Sequence, residues 1–224
     1  MIRCGMIAAS LVAGVVVPRP AFADRSHAAS AAKEDRSNPL PPPPAARAME
    51  AWAKAWGFKW DELAFVPGPE LSEEVREAWS WLVPGRWRPI LCATVGGIFI
   101  ESEAGTVSWL DIGAGTVEEV APNVEAFEGI LRSEAPVVQL WFLPALVEEL
   151  HRAGKRPRPG QAYSFLILPV FAEGKFAADN MFVAPAREQL LLAADIHRQL
   201  VPVPDGAKVE LVPTGRKGKR RPGG

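Results

Sequence analysis

Glu173, Gly174 and Lys175 stand together just after an apolar run, with Asp179 and Asn180 close behind. In metal-dependent nucleases, an acidic residue, a spacer and a lysine after a strand can share a divalent cation with an upstream carboxylate and activate water. Asp111 is the attractive upstream carboxylate for such a set. The same three letters are also what a glycine turn after a strand looks like. Other chemistry finds less support. Residues 113–116, GAGT, lack the lysine–hydroxyl pair of a phosphate-binding loop, and Glu118 stands where a third glycine of GxGxxG belongs. The histidines are His27, His151 and His197, the last two placed late in amphipathic helices, where an imidazolium favours the negative helix end. No serine or cysteine occupies a nucleophile elbow. The two cysteines, Cys4 and Cys92, supply neither a disulfide framework nor a metal cluster. The chain therefore reads as a non-enzyme, with no catalytic residue, metal or cofactor expected.

These side chains need a scaffold, and 224 residues with 48% hydrophobic and 23% charged content can build one domain with a sizeable core. Trp52, Trp56 and Trp60 recur every fourth residue, placing an aromatic stripe on a helix over 49–60, a pattern that more often packs against the body than forms a partner or membrane surface. Pro67, Gly68 and Pro69 mark a turn. A second helix follows in LSEEVREAWSWL, with Ser72 as its N-cap and Glu73 and Glu74 in the first turn. Short β-forming runs over 90–95, 97–101, 106–112 and 116–121, separated by glycines, predict an antiparallel meander. Asn123 is placed to cap a helix with Val124, Phe127, Ile130 and Leu131 on its apolar face. Pro144 and Gly154 frame another helix. Residues 163–170 predict the most apolar strand, 181–184 a short one, and 185–200 a closing helix. Strands grouped together, with helices before and after, predict a single α+β domain over 49–213.

The net charge of −1 conceals an uneven distribution. Residues 1–48 carry 6 Lys/Arg against 3 Asp/Glu, 214–224 carry 5 against none, and 49–213 carry 14 against 23. An acidic body argues against nonspecific nucleic-acid binding and suits a basic protein partner. The tail GRKGKRRPGG reads as a solvated basic end. At the other terminus Arg3, an apolar run to Val17 and Ala21-Phe22-Ala23 have the layout of a signal peptide over 1–23, too short to span a bilayer. Residues 24–48, with NPLPPPP, read as an unstructured linker. Met49, just ahead of the first helical pattern, is an alternative start. Cleavage after Ala23 would make the protein periplasmic or secreted, and a start at Met49 cytoplasmic.

The stretch TVGGIFIESEAGTVSWLDIGAGTVEEVAPNVEAFEGIL resembles the sheet-and-helix core of bacterial immunity proteins in the cell-wall-assembly-regulator-like superfamily. GQAYSFLILPVFAEGKFAADNMFVAPAREQLLLAADIHRQLVPVPDGAKV is similar to the ending of the C-terminal domain of type VI secretion DNase-immunity proteins. The likeness runs over about 71–212, with Ser164 where the family usually has glycine and Phe171-Ala172-Glu173-Gly174 in place of a Leu-Gly-Gly run. The resemblance implies a non-catalytic α+β domain that binds a cognate toxin, a DNase effector, and blocks it. Acidic side chains suited to a basic active-site groove are Glu101, Glu103, Asp111, Glu118 and Glu119 on the hairpins, with Glu173 and Asp179 on the late loop. Two other classes stay open: an exported binding protein and a metal-dependent nuclease-like enzyme.

Overall fold

PAARAMEAWAKA is rich in alanine, and Ala45, Ala48, Met49 and Trp52 fall at the spacing of one helix face. All four are buried in α1, Pro44–Ala55. The helix thus begins inside the stretch read as linker. Proline at a first helical position loses no hydrogen bond, so the preceding proline run masks the start without preventing it. The computed structural model describes residues 44–133, 136–204 and 206–209. The signal-peptide, most of the linker and the basic-tail readings lie outside the described residues. The chain divides into two units, and every element named below belongs to the unit Pro39–Pro202.

Gly57, at φ 79°, ends the first helical stretch earlier than the tryptophan spacing predicts. A short helix α2, Trp60–Leu63, and a two-residue strand β1, Ala64–Phe65, follow. Trp52 is buried and Trp60, in α2, is half-buried against the same core, whereas Trp56 between them is 40% exposed, so the stripe packs at its ends and not in its middle. Helix α3 is Pro69–Trp79, capped by Gly68 with Pro69 at its first position. Ser72 is not its cap; its hydroxyl donates to the Pro67 carbonyl at 3.3 Å from within the helix. The proline already supplies the start, which moves Glu73 and Glu74 out of the first turn.

The meander forms as the glycine spacing predicts. Strands β2 (Trp87–Ala93), β3 (Gly97–Ser102), β4 (Val107–Asp111) and β5 (Thr116–Ala121) pair antiparallel in the order β1-β2-β3-β4-β5. Pro89, which cannot donate to a ladder, coincides with the register shift between Pro89 and Leu91. Helices α4 (Val124–Arg132), α5 (Pro136–Phe142) and α6 (Pro144–Arg152) come next. The Asn123 side chain accepts from the Ala126 N–H at 2.8 Å, the cap its position predicts. The α+β class stands.

Strand β6, Gln161–Phe165, pairs with β7, Met181–Pro185, in a separate two-stranded sheet, and α7, Ala186–Leu200, closes the unit. The predicted strand over 163–170 stops at Phe165. Asn180 explains the stop: its amide accepts from the Ile167 N–H at 3.0 Å and donates to the Ile167 and Lys175 carbonyls at 2.8 and 2.9 Å. Backbone groups that a longer strand would present to a neighbour are taken by that side chain, and Pro169 has no N–H to offer.

Both faces of the five-stranded sheet are covered. Leu91, Phe99 and Val107 join α1, α4, α5 and α6 in one core, where Phe99 lies 4.5 Å from Phe127, 4.6 Å from Trp109 and 5.0 Å from Trp141 between ring centres. Cys92, Ile98, Ile100 and Leu110 face the other way, against α3 and α7. Strand β3 reads as a continuous apolar run, Gly97-Ile98-Phe99-Ile100, because it is buried on both sides. The Trp79 indole N–H donates to the Leu190 carbonyl at 3.2 Å, fastening α3 to α7.

Candidate functional site

Alternation along β4 decides which side chains meet at one end of the sheet. Val107, Trp109 and Asp111 share the face that carries Phe99, and Ser108 and Leu110 take the other. Trp109 lies over Gly97, opposite the end of β3, where any Cβ would overlap its ring. Glycine there is what lets the indole lie flat on the sheet. Trp141 of α5 stands 6.3 Å from Trp109, ring centre to ring centre. With Gly96, Leu140, Leu143 and Phe176 these tryptophans and Asp111 line an open hollow of about 220 Å³. Leu140 is 71% exposed and Phe176 41%, an unusual setting for large apolar side chains at a rim. Leu143 adopts a left-handed φ of 45°, which turns the chain sharply from α5 into α6 beside the hollow.

Asp111 has a local job as well. One carboxylate oxygen, Oδ1, accepts from the Gly113 N–H at 2.7 Å and the Ala114 N–H at 3.1 Å, closing the turn into β5. The turn is held from behind by His197, whose Nε2 lies 2.9 Å from the Ile112 carbonyl and whose ring fills the space beside Gly115. Burial pushes the His197 pKa down, against the raising effects of the Ile112 carbonyl and Asp111. A neutral ring donating Nε2–H to the carbonyl follows.

The other acidic candidates separate. Glu118 is exposed on the edge strand β5, directly opposite Trp109 and on the same face, so it joins the hollow's surroundings. Glu119, opposite Ser108, points to the other face. Glu101 and Glu103 lie at the far end of β3. Glu101 accepts from the Arg88 Nε at 2.7 Å across the strand pair, and Glu103 approaches Arg86 at 3.9 Å. Glu173 is exposed and has no ion pair among the described residues. Gly174 is required because a Cβ would overlap the Leu168 carbonyl, and this close approach accounts for the glycine of Glu173-Gly174-Lys175. Lys175 pairs with Asp179 at 2.7 Å, which draws the Asp179 carboxyl below its usual range, chiefly through that hydrogen bond. Among the described residues no three His, Cys, Asp or Glu side chains form a group able to hold a metal. Among them, too, no single helix is long and apolar enough to cross a membrane.

A second concavity of about 800 Å³ lies between α2, the start of α3 and the loop before β6. His151 sits in its wall with its side chain only 8% exposed, its Nδ1 3.9 Å from Glu62 Oε1, which Arg156 approaches at 3.8 Å. Burial, then the Arg156 charge, pushes the His151 pKa down, and Glu62 opposes them. Tyr163 donates to the Lys155 carbonyl at 2.9 Å, and burial pushes its phenol up. None of these cleft residues was legible as a site, because Glu62 is far in sequence from His151 and Arg156 and no motif links them.

No protein-family model and no curated protein matches this chain. Among solved structures it is similar to Atu4351 from Agrobacterium tumefaciens, at 15% identity and a TM-score of 0.41, over 59% of this chain and 66% of that one.

Proposed function

We propose that this protein is an immunity-type binding domain that neutralises a secreted toxin, of the type VI secretion DNase class, by direct protein–protein contact. The observation that carries the reading is the hollow at the Asp111 end of the sheet. Exposed aromatic and aliphatic side chains there are flanked by Asp111 and Glu118, on a body carrying 23 acidic against 14 basic residues over 49–213. Aromatic anchors with a charged rim are the composition of a protein interface, and the charge sign fits a partner whose own surface binds phosphate. The motif resemblance over 71–212 supplies the toxin class. The test is co-expression with a type VI secretion DNase toxin, chosen first from any that is encoded next to this gene. Protection of the cell's DNA, with capture of the toxin on this protein, is expected; an unbound and fully toxic partner would refute the reading for that pair.

A second reading rests on the cleft around His151. Its volume falls in the range of small-molecule sites, and neither ring nitrogen of the buried imidazole has a hydrogen bond within the described residues. An exported binding protein with a small ligand would use that cleft. Ligand-induced thermal shifts that are lost in His151→Phe, with toxin binding absent, would favour it over the first reading.

A further inference from the structure

We infer that the hollow between Trp109 and Trp141 is a receptor for one arginine side chain presented by the protein partner. The inference rests on the protein-binding reading and narrows it to one contact. Its volume of about 220 Å³ exceeds the ~150 Å³ cavity that admits benzene and falls short of the ~300 Å³ at which drug-sized sites begin. A single long side chain matches that size.

The walls specify its chemistry. The two indole ring centres lie 6.3 Å apart with their planes inclined at 34°, so a planar cation does not fit between them; it would lie against the half-buried Trp109, with the buried Trp141 as the wall behind. Asp111 lines the same hollow, and while Oδ1 is committed to the two backbone N–H groups, Oδ2 has no hydrogen-bond partner among the described residues. A half-buried carboxylate beside the half-buried Trp109 indole attracts a cationic donor. Among the described residues no basic side chain lines the hollow; Lys175, next to Phe176 in sequence, is held by Asp179. The exposed Leu140 and Phe176 side chains at the mouth match the aliphatic stem of an arginine. Guanidinium is favoured over ammonium because it is planar, stacks on indole and is more weakly hydrated.

The probe is the tripeptide acetyl-Gly-Arg-Gly-amide, followed by the indole N–H resonances of Trp109 and Trp141 at 0.15 M salt, with the citrulline tripeptide as its neutral isostere. Saturable shifts at both indoles, with a dissociation constant on the order of millimolar, are expected for arginine and absent for citrulline. Asp111→Asn keeps an Oδ1 acceptor for Gly113 and Ala114, so the turn is retained, and should weaken the arginine peptide at least about fivefold. Leu140→Ala, at an exposed position, should weaken it about twofold. Equal shifts with citrulline, or unchanged affinity in Asp111→Asn, would overturn the inference. The two readings fail separately. A toxin that is captured equally well by Asp111→Asn leaves the immunity reading standing without this contact, whereas an arginine response in a protein that binds no toxin leaves the contact without that function.

Discussion

The two ends of the five-stranded sheet carry acidic side chains in opposite circumstances. At the end near β3's C-terminus, Glu101 and Glu103 face Arg88 and Arg86 across the hairpin. These charges are already matched, and an exposed, matched pair contributes little to stability and offers little to a partner. At the other end Asp111 stands opposite Thr116 and Glu118 opposite Trp109, with no basic cross-strand neighbour among the described residues, and exposed apolar side chains stand beside them. Charge count alone ranks all of these carboxylates together. Cross-strand register separates them, since only register tells which arginine stands opposite which glutamate.

The comparison breaks most completely if the shared core is removed. Phe99 touches Trp109, Phe127, Trp141 and Phe142, and so supports both the hollow and the sheet's middle. Phe99→Ala should destabilise the protein by about 4 kcal/mol in chemical denaturation, and both ends should lose structure together. A loss confined to the hollow, with the rest of the sheet unaffected, would show that the two ends are less coupled than their common ring cluster implies.

Asn180→Ala should act on one end. Its amide holds the backbone of Ile167 and Lys175, and the loop it fastens carries Phe176 to the hollow's wall. Loss of these buried hydrogen bonds should cost about 2 kcal/mol and raise amide exchange over 166–176. Exchange at the Arg88–Glu101 pairing should stay as in the native protein.

Acid should act on the same end with a smaller effect. The folded state holds His197 with a pKa below its ordinary value of 6.5, chiefly because burial disfavours the cation. The unfolded chain therefore takes up a proton near 6.5 while the folded one resists. Stability present above about pH 6.5 is lost as pH falls from there toward the folded-state value. His151, lowered for the same first reason, adds to the slope. His197→Gln keeps a donor for the Ile112 carbonyl and should flatten the pH dependence of the denaturation midpoint between pH 7 and 5; an unchanged slope would remove His197 from the account.

The sheet was readable from sequence because glycine-punctuated β runs fix both strand type and turn position. Asn123 and Pro144 were readable for the same kind of reason, each being a residue whose chemistry suits one place in a helix. What escaped was set by distant parts of the chain. Helix α5, in PVVQLWF, is too short for a period to declare itself, and its Trp141 and Leu140 became site residues only through packing against β4. Trp109 lay in a predicted strand, but its exposure depends on Gly97, a residue on the neighbouring strand with no side chain to notice. The strand predicted over 163–170 was overextended because Asn180, after the loop, takes both backbone groups of Ile167, which the apolar run would otherwise present to a neighbour.

The finest discrimination comes from Glu101→Gln set beside the Asp111→Asn change. Glu101 keeps a cross-strand neighbour in Arg88, whose side chain is 72% exposed, so neutralising the half-covered glutamate breaks an ion pair that solvent already reaches from the arginine side. Such pairs are worth about 0.5 kcal/mol, close to the reproducibility of a denaturation midpoint. Glu101→Gln should therefore leave stability nearly unchanged, and also partner capture, because in the wild type Arg88 already offsets its charge. It alters the net charge by the same amount as Asp111→Asn, so long-range steering should change equally in both, appearing as a small drop in association rate that vanishes at high salt. A faster dissociation rate in Asp111→Asn alone would locate the partner at the hollow. Faster dissociation in both would mean that the matched end is in the interface too, and that register is no guide to which carboxylates are used.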